Sequence, residues 1–269
     1  APPSGTASDP REAVSALKIR DEGPVRVLTL SRPPGNTLDL AILTDLRAAA
    51  LEAGRVASVR ALVLESDVPR YFSSGLDLAE LAALPAARRR EPFESLIAAY
   101  RALLALPKPA VASMSGSGLL GGWILAMACD WRLLAENGKV SLAEIRAALT
   151  PTTALVSRLR ELSSDPRAVK EMILRGKALG ADAALASALV DEVLPESEVR
   201  EAGLALARRL AKSPPRAYAA VKRALGRAAA DDARWARARE EFSESFEAEE
   251  GREGLEALRA KRRPRWEGP

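Results

Sequence analysis

Two apolar runs separated by one amphipathic segment constrain this chain more than any other feature. Val25 to Leu30 (VRVLTL) is a β-branched and leucine run closed by the hard turn Ser31-Arg32-Pro33-Pro34-Gly35. Leu38 to Glu52 then sets Leu40, Leu43, Leu46 and Leu51 at helical spacing, with Asp39 near its start. Val59 to Glu65 (VRALVLE) is a second buried strand. A strand, a helix and a strand in that order imply a right-handed crossover and therefore a parallel sheet.

The pattern continues. Ala82 to Leu106 carries a helical stripe through Phe93, Leu96, Ile97, Tyr100, Leu103 and Leu104, and stops at Pro107-Lys108-Pro109. Ala110 to Ser113 is a short strand, Ser115 to Gly122 a glycine-rich turn, and Trp123 to Cys129 an apolar helix closed by Asp130. Trp131 to Leu134 and Val140 read as short strands around the turn Glu136-Asn137-Gly138. From Asp165 to about Arg262 the chain has helical periodicity, broken by Gly180, Pro195 and Pro214-Pro215. With 269 residues, no internal repeat and no long linker, one α/β domain with a helical carboxyl-terminal region is the economical organisation.

Composition removes several chemistries. The absence of histidine excludes Ser-His-Asp and Cys-His nucleophile systems, and with a single cysteine it excludes an ordinary zinc site or internal disulfide. Proton transfer must rest on Asp, Glu, Lys or Tyr, and charge stabilisation on backbone dipoles. A net charge of +4 does not announce nucleic acid. Arg88-Arg89-Arg90 reads as a solvated helix face, with phosphate or RNA contact as the other reading. No apolar run reaches the roughly 18 residues of a membrane span, and Ala1 to Asp21 has no secretory apolar core. Lone Cys129 suits a reducing compartment, so a cytoplasmic protein without a membrane partner is expected.

Two loops have the composition of an anion-stabilising site. Tyr71 to Leu78 (YFSSGLDL) follows a buried strand, and its small residues let backbone amides approach a ligand. Ser115 to Gly122 (SGSGLLGG) follows another strand and opens an apolar helix, which sets its amides at the positive end of a helix dipole. Each loop alone is also what a tight turn looks like; together they can make an oxyanion hole. Gly116 to Gly121 matches GxGxxG by letter, but the acidic residue expected about 20 positions on falls at the turn Glu136-Asn137-Gly138, so the dinucleotide reading is rejected.

These residues resemble the crotonase, or enoyl-CoA hydratase and isomerase, superfamily. The resemblance runs through Arg32-Pro33-Pro34-Gly35-Asn36-Thr37-Leu38, then Phe72 to Glu80, then Lys108 to Ala112 with the glycine loop and Leu125 to Asp130. It ends at Glu250-Gly251 and Lys261 to Trp266. It implies a crotonase-like α/β spiral of ββα units over residues 1–200 and a helical trimerisation region over 201–269, assembled as a homotrimer or a dimer of trimers.

The resemblance also implies the chemistry, which is stabilisation of a thioester enolate. The amides of Leu76 and Gly121 become the oxyanion donors, and the substrate is an acyl-CoA, so coenzyme A enters as part of the substrate and no separate cofactor or metal is expected. Of the two glutamates that family hydratases use, the first position holds Ile124 and the second holds Glu144. One carboxylate can move a proton from C2 to C4 without water, as in Δ3,Δ2-enoyl-CoA isomerases. Glu144 is therefore the expected base, in an apolar pocket of Ile124, Trp123 and Leu120, with burial raising its pKa. Trp123 either caps the acyl group or is core. Ser74, Gly75, Asp77, Leu78, Gly122 and Ala143 fall at the implied substrate site, while Asp77 and Glu80 also suit loop hydrogen bonding and helix capping. Arg32, Leu78 and the Lys261-Arg262-Arg263 cluster resemble contacts to coenzyme A, against the plain reading of solvated charge. Hydratase, decarboxylase and thioesterase remain rivals within the family. From another class comes a CoA- or RNA-binding module using Arg88 to Arg90 and Lys222-Arg223, with few interleaved aromatics to help it.

Overall fold

A computed structural model describes residues 16–225 and 232–266; the polar amino-terminal stretch to residue 15 lies outside them. The first half runs β1 (Leu17–Glu22), β2 (Val25–Leu30), β3 (Thr37–Leu38), α1 (Leu40–Arg55), β4 (Ala61–Ser66), β5 (Tyr71–Ser73) and β6 (Gly75–Leu76). There follow α2 (Leu78–Ala83), α3 (Glu91–Leu104), β7 (Ala110–Met114), β8 (Ser117–Leu119), α4 (Gly121–Ala128), β9 (Trp131–Ala135) and β10 (Lys139–Ser141). A 3₁₀ turn at Glu144–Ala147 leads into α5 (Thr153–Leu162), α6 (Pro166–Arg175), β11 (Leu179–Gly180), α7 (Ala181–Ala186) and β12 (Glu192–Leu194). Helices α8 (Val199–Leu210), α9 (Pro215–Ala224), α10 (Asp232–Glu247) and α11 (Glu249–Arg259) complete the described chain.

The main sheet has the order β1-β2-β4-β7-β9-β12, parallel except for the β1–β2 hairpin. Side chains alternate across it, and both faces are covered. Leu28, Leu30, Leu62 and Leu64 join the core built on α1 and α3, while Val25, Val27, Ala61 and Val63 pack with Val199 and Ala207 of α8 and with Ala211 just after it. That two-sided burial is why VRVLTL and ALVLES are continuous runs and not alternating ones. The sequence division at residue 200 falls inside α8, which is bound to the sheet through the Ser113 hydroxyl donating to the Val199 carbonyl at 2.8 Å. A second sheet, β11-β10-β8-β5, carries parallel β5, β8 and β10 side by side.

The structure corrects several boundaries. Helix α1 starts at Leu40 because the Asp39 carboxylate accepts from the Ile42 N–H as an N-cap, which leaves Thr37 and Leu38 to pair with β6. Leu51 is 40% exposed; the buried face instead runs through Ile42, Leu43, Leu46, Ala49, Ala50 and Ala53. The glycine-rich stretch contains strand β8, β1 and α5 lie where no element was expected, and the strands β11 and β12 interrupt the stretch expected to be helical. Among the described residues no helix is long and apolar enough to cross a membrane.

Lys222 overturns one charge assignment. Its side chain is 6% exposed, and its ammonium donates to Asp130 at 2.9 Å and to the Lys108 carbonyl at 3.0 Å. It clamps α9 to the start of β7, where Asp130 also accepts from the Ala110 N–H at 2.9 Å, and it is not part of a basic surface. Lys222→Ala removes the cation while Asp130 stays buried, so urea denaturation should show a loss of about 3 kcal/mol, against roughly 0.5 kcal/mol or less for a solvated lysine.

Candidate active site

Three neighbouring strand ends build the site. In the second sheet Ser73 pairs with Gly118, Gly118 with Val140, and Leu119 with Ser141, all in parallel. Parallel strands deliver their carboxyl ends to one edge. Beyond those ends come Ser74-Gly75-Leu76, Leu120-Gly121-Gly122 and Leu142-Ala143-Glu144. The Leu120 N–H donates to the Ser141 carbonyl at 2.8 Å, extending the ladder one residue into the loops. The stretches that sequence singled out are thereby brought together, although 68 positions (144 − 76) separate Leu76 from Glu144.

Glycine lets the first two loops touch. A Cβ on Gly75 would stand 3.1 Å from the Gly121 nitrogen, and Gly75 has φ +98°, a conformation that side chains resist. A Cβ on Gly122 would stand only 2.4 Å from the Ser73 carbonyl oxygen, so the first turn of α4 lies directly on the end of β5. Pairing with β3 sets the direction of the Leu76 amide. The Asp77 N–H donates to Leu38 at 3.0 Å, and since successive amides of a strand alternate in direction, that of Leu76 points away from β3. Gly121 is the first residue of α4, and its amide has no carbonyl partner within the helix. The result is one amide from each loop on adjoining backbone.

Asn36, which follows Pro33-Pro34-Gly35, holds this arrangement from below, a role its sequence motif does not announce. Completely buried, it donates through Nδ2 to Ser66 Oγ at 2.7 Å and to the Leu30 and Phe72 carbonyls, both at 3.2 Å, and accepts from the Arg32 N–H at 2.6 Å. Its carbonyl takes the Ser73 hydroxyl at 2.7 Å, and Ser73 Oγ accepts from the Gly75 N–H at 3.2 Å. The signal in the sequence was an Asn after Pro-Pro-Gly, since Asn tolerates the φ of +48° found here.

Glu144 opens the 3₁₀ turn three residues after β10. The residue is half-buried, yet its Oε2 is shut away from solvent without a hydrogen-bond partner among the described residues. Burial pushes the carboxyl up to about 7, and the hydrogen bond from its own main-chain N–H offsets only part of that. A carboxyl poised near neutrality can take and return a proton. Its turn is backed by α11, where a Cβ on Gly254 would stand 2.1 Å from the Ala147 carbonyl oxygen. Ile124 (3% exposed) and Trp123 (fully buried) belong to the main core.

The remaining candidates divide. Arg32 ion-pairs with Asp77 and with Asp39 at 3.1 Å and donates to Thr37, so its guanidinium braces the loop before α1 against the start of α2. Asp77 N-caps α2, accepting from the Ala79 and Glu80 amides at 2.9 and 3.0 Å. Burial works against its charge, but the Glu80 amide and the Arg32 guanidinium hold its carboxyl below the usual range. Glu80 accepts from the Leu40 N–H at 3.1 Å, with its pKa raised by burial and by Asp39 and Asp77. Ser74, Leu78 and Ala143 are half-buried beside the strand ends, and Lys261 is exposed beyond α11. Cys129 is buried, its thiol donating to the Leu125 carbonyl at 3.9 Å.

Comparisons with known proteins give the family and the fold. The family model described as enoyl-CoA hydratase/isomerase matches residues 20–269. The probable enoyl-CoA hydratase EchA17 of Mycobacterium tuberculosis is 37% identical over 196 residues, which is 73% of this chain and 74% of that protein. The crystal structure of an enoyl-CoA hydratase from Mycobacterium avium subsp. paratuberculosis superposes with TM-score 0.82 at 26% identity, covering 95% of this chain and 100% of the other. Human mitochondrial delta3-delta2-enoyl-CoA isomerase superposes with TM-score 0.85 over 91% of this chain and 97% of its own, at 23% identity, a likeness of fold alone.

The raised carboxyl has a cost in stability with a definite sign. The folded state holds a proton on Glu144 up to about pH 7, whereas the unfolded state loses it near 4.5, so stability falls as pH rises between those values. Urea denaturation should show Glu144→Gln gaining on the parent by as much as about 3 kcal/mol between pH 4 and pH 8, a difference that closes at the acid end.

Proposed function

The chain belongs to the enoyl-CoA hydratase/isomerase family, and from that membership we propose that it is a Δ3,Δ2-enoyl-CoA isomerase of fatty-acid oxidation. One observation carries the reading: a shielded carboxyl, Glu144, stands three residues beyond the end of β10, while the position of a second glutamate is taken by buried Ile124. In its ionised form Glu144 takes a proton from C2 of a 3-enoyl thioester. The electron pair passes to the carbonyl oxygen, and the Leu76 and Gly121 amides hold the charge that develops there. Reprotonation at C4 by the same carboxyl moves the double bond to C2 and regenerates the base, with no net gain or loss of atoms. Losing one oxyanion donor of this kind typically costs about 10²–10³ in rate.

An isoleucine can neither orient nor deprotonate water, which disfavours hydration. The second reading is nonetheless a hydratase, favoured by the likeness to the probable enoyl-CoA hydratase EchA17. Burial of Lys222 weakens the RNA-binding alternative, which loses half of its Lys222-Arg223 patch. We take the enzyme to be cytoplasmic, to need coenzyme A only as part of its substrate, and to assemble as a trimer or a dimer of trimers.

Mixing the protein with 3-hexenoyl-CoA should raise the absorbance of the conjugated enoyl thioester, and kcat/KM should climb with pH and level off above about 7, where Glu144 is ionised. Glu144→Gln should lower turnover by about 10²–10⁴. Loss of absorbance with crotonyl-CoA, with 3-enoyl substrates of every chain length left unchanged, would establish the hydratase instead. In the isomerase, Ile124→Glu supplies a second carboxylate and should open measurable hydration.

A further inference from the structure

Between α2 and the two last helices lies a cavity of about 610 Å³, a size that suits a small ligand. Leu78, Leu81, Phe246 and Leu255 give it apolar walls. Around these stand Arg89, Arg90, Arg252 and Arg259, opposed by Glu247 and Glu256. Glu256 is itself faced by Arg262 at 3.7 Å, so the cavity keeps an excess of positive charge. Arg89 is tethered by its Nε donating to the Leu84 carbonyl at 3.2 Å, and no ion pair of Arg90, Arg252 or Arg259 is seen among the described residues.

The cavity adjoins the chemistry through covalent neighbours. Leu78 follows the Leu76 donor by two residues, and Leu255 follows Gly254, which lies on the turn that begins with Glu144. Phe246 is held in place by Phe242, which stacks on Phe93 of α3 with ring centroids 3.7 Å apart. A thioester gripped at Leu76 and Gly121 has two ends to house. Apolar walls suit a run of methylenes better than a diphosphate, and planar guanidinium forks suit a carboxylate.

We propose that this cavity receives the far end of the acyl chain and selects acyl groups that end in a carboxylate, making the preferred substrates ω-carboxyacyl-CoA thioesters. The inference rests on the reading of Leu76, Gly121 and Glu144 as the thioester site, but it concerns binding and not the proton transfer.

The test is therefore made with saturated thioesters, which bind without reacting. Calorimetry at low salt should find decanedioyl-CoA bound at least about tenfold more tightly than decanoyl-CoA, the worth of one charge-assisted contact at a partly exposed site. In the double variant Arg252→Gln/Arg259→Gln that preference should collapse, while Arg252→Lys/Arg259→Lys, which keeps the charge, should retain part of it. Repeating the comparison with N-acetylcysteamine thioesters, which carry no phosphate, should reproduce the preference. Equal or weaker binding of the diacid by the parent protein overturns the proposal, as does a preference that survives the double variant. If the variant instead weakens both CoA thioesters alike and leaves the N-acetylcysteamine thioesters untouched, the arginines hold the phosphates of coenzyme A and the proposal falls. Preference for the diacid with no 3-enoyl turnover would leave the cavity assignment standing and remove only the isomerase.

Discussion

The parallel ladder of β5, β8 and β10, extended by the Leu120 N–H bond to the Ser141 carbonyl, is the constraint on which the rest of the site depends. Each of these strands is only three residues long and has little stability of its own. Side by side they align three chain segments at one edge, so that two amide-bearing loops and a carboxyl emerge together. The glycines serve that alignment. A side chain at Gly75 or Gly122 would drive apart backbone that must touch.

Charge is handled in two opposite ways within this small region. Asp77 is neutralised by Arg32, by Thr37 and by two amides of the helix it caps, and its ionised form is secured for structure. Glu144 is given almost nothing: burial without a partner for Oε2 raises its pKa and leaves the carboxyl free to exchange a proton. The contrast separates the two carboxyls by environment, without reference to spacing. A carboxylate with every lone pair occupied is a fastener, whereas an under-solvated one is available for chemistry at some expense to stability.

The carboxyl-terminal helices do more than close the fold. Helix α11 approaches the Glu144 turn so closely that Gly254 meets the Ala147 carbonyl, and α10 stacks Phe242 on Phe93 and tilts Trp235 against Tyr100 of α3. These contacts give the region beyond α2 its second wall. The polar groups of the site and the apolar space beside it are thus built from segments at opposite ends of the chain.

The sequence by itself determined the parallel α/β core, because strands buried on both faces must be written as unbroken apolar runs, and VRVLTL and ALVLES are such runs. It also narrowed the chemical groups: without histidine proton transfer is left to Asp, Glu, Lys or Tyr, the two glycine-bearing loops stand out by composition, and Glu144 is singled out by the resemblance. Tertiary structure decided what depends on partners far along the chain. Strand β8, Ser-Gly-Leu, has no pattern of its own and exists because β5 and β10 flank it. Lys222 reads as surface charge until Asp130, 92 positions away, buries it. The raised pKa of Glu144 belongs to the same class, since desolvation is a property of what surrounds a side chain and cannot be written into the residue that carries it.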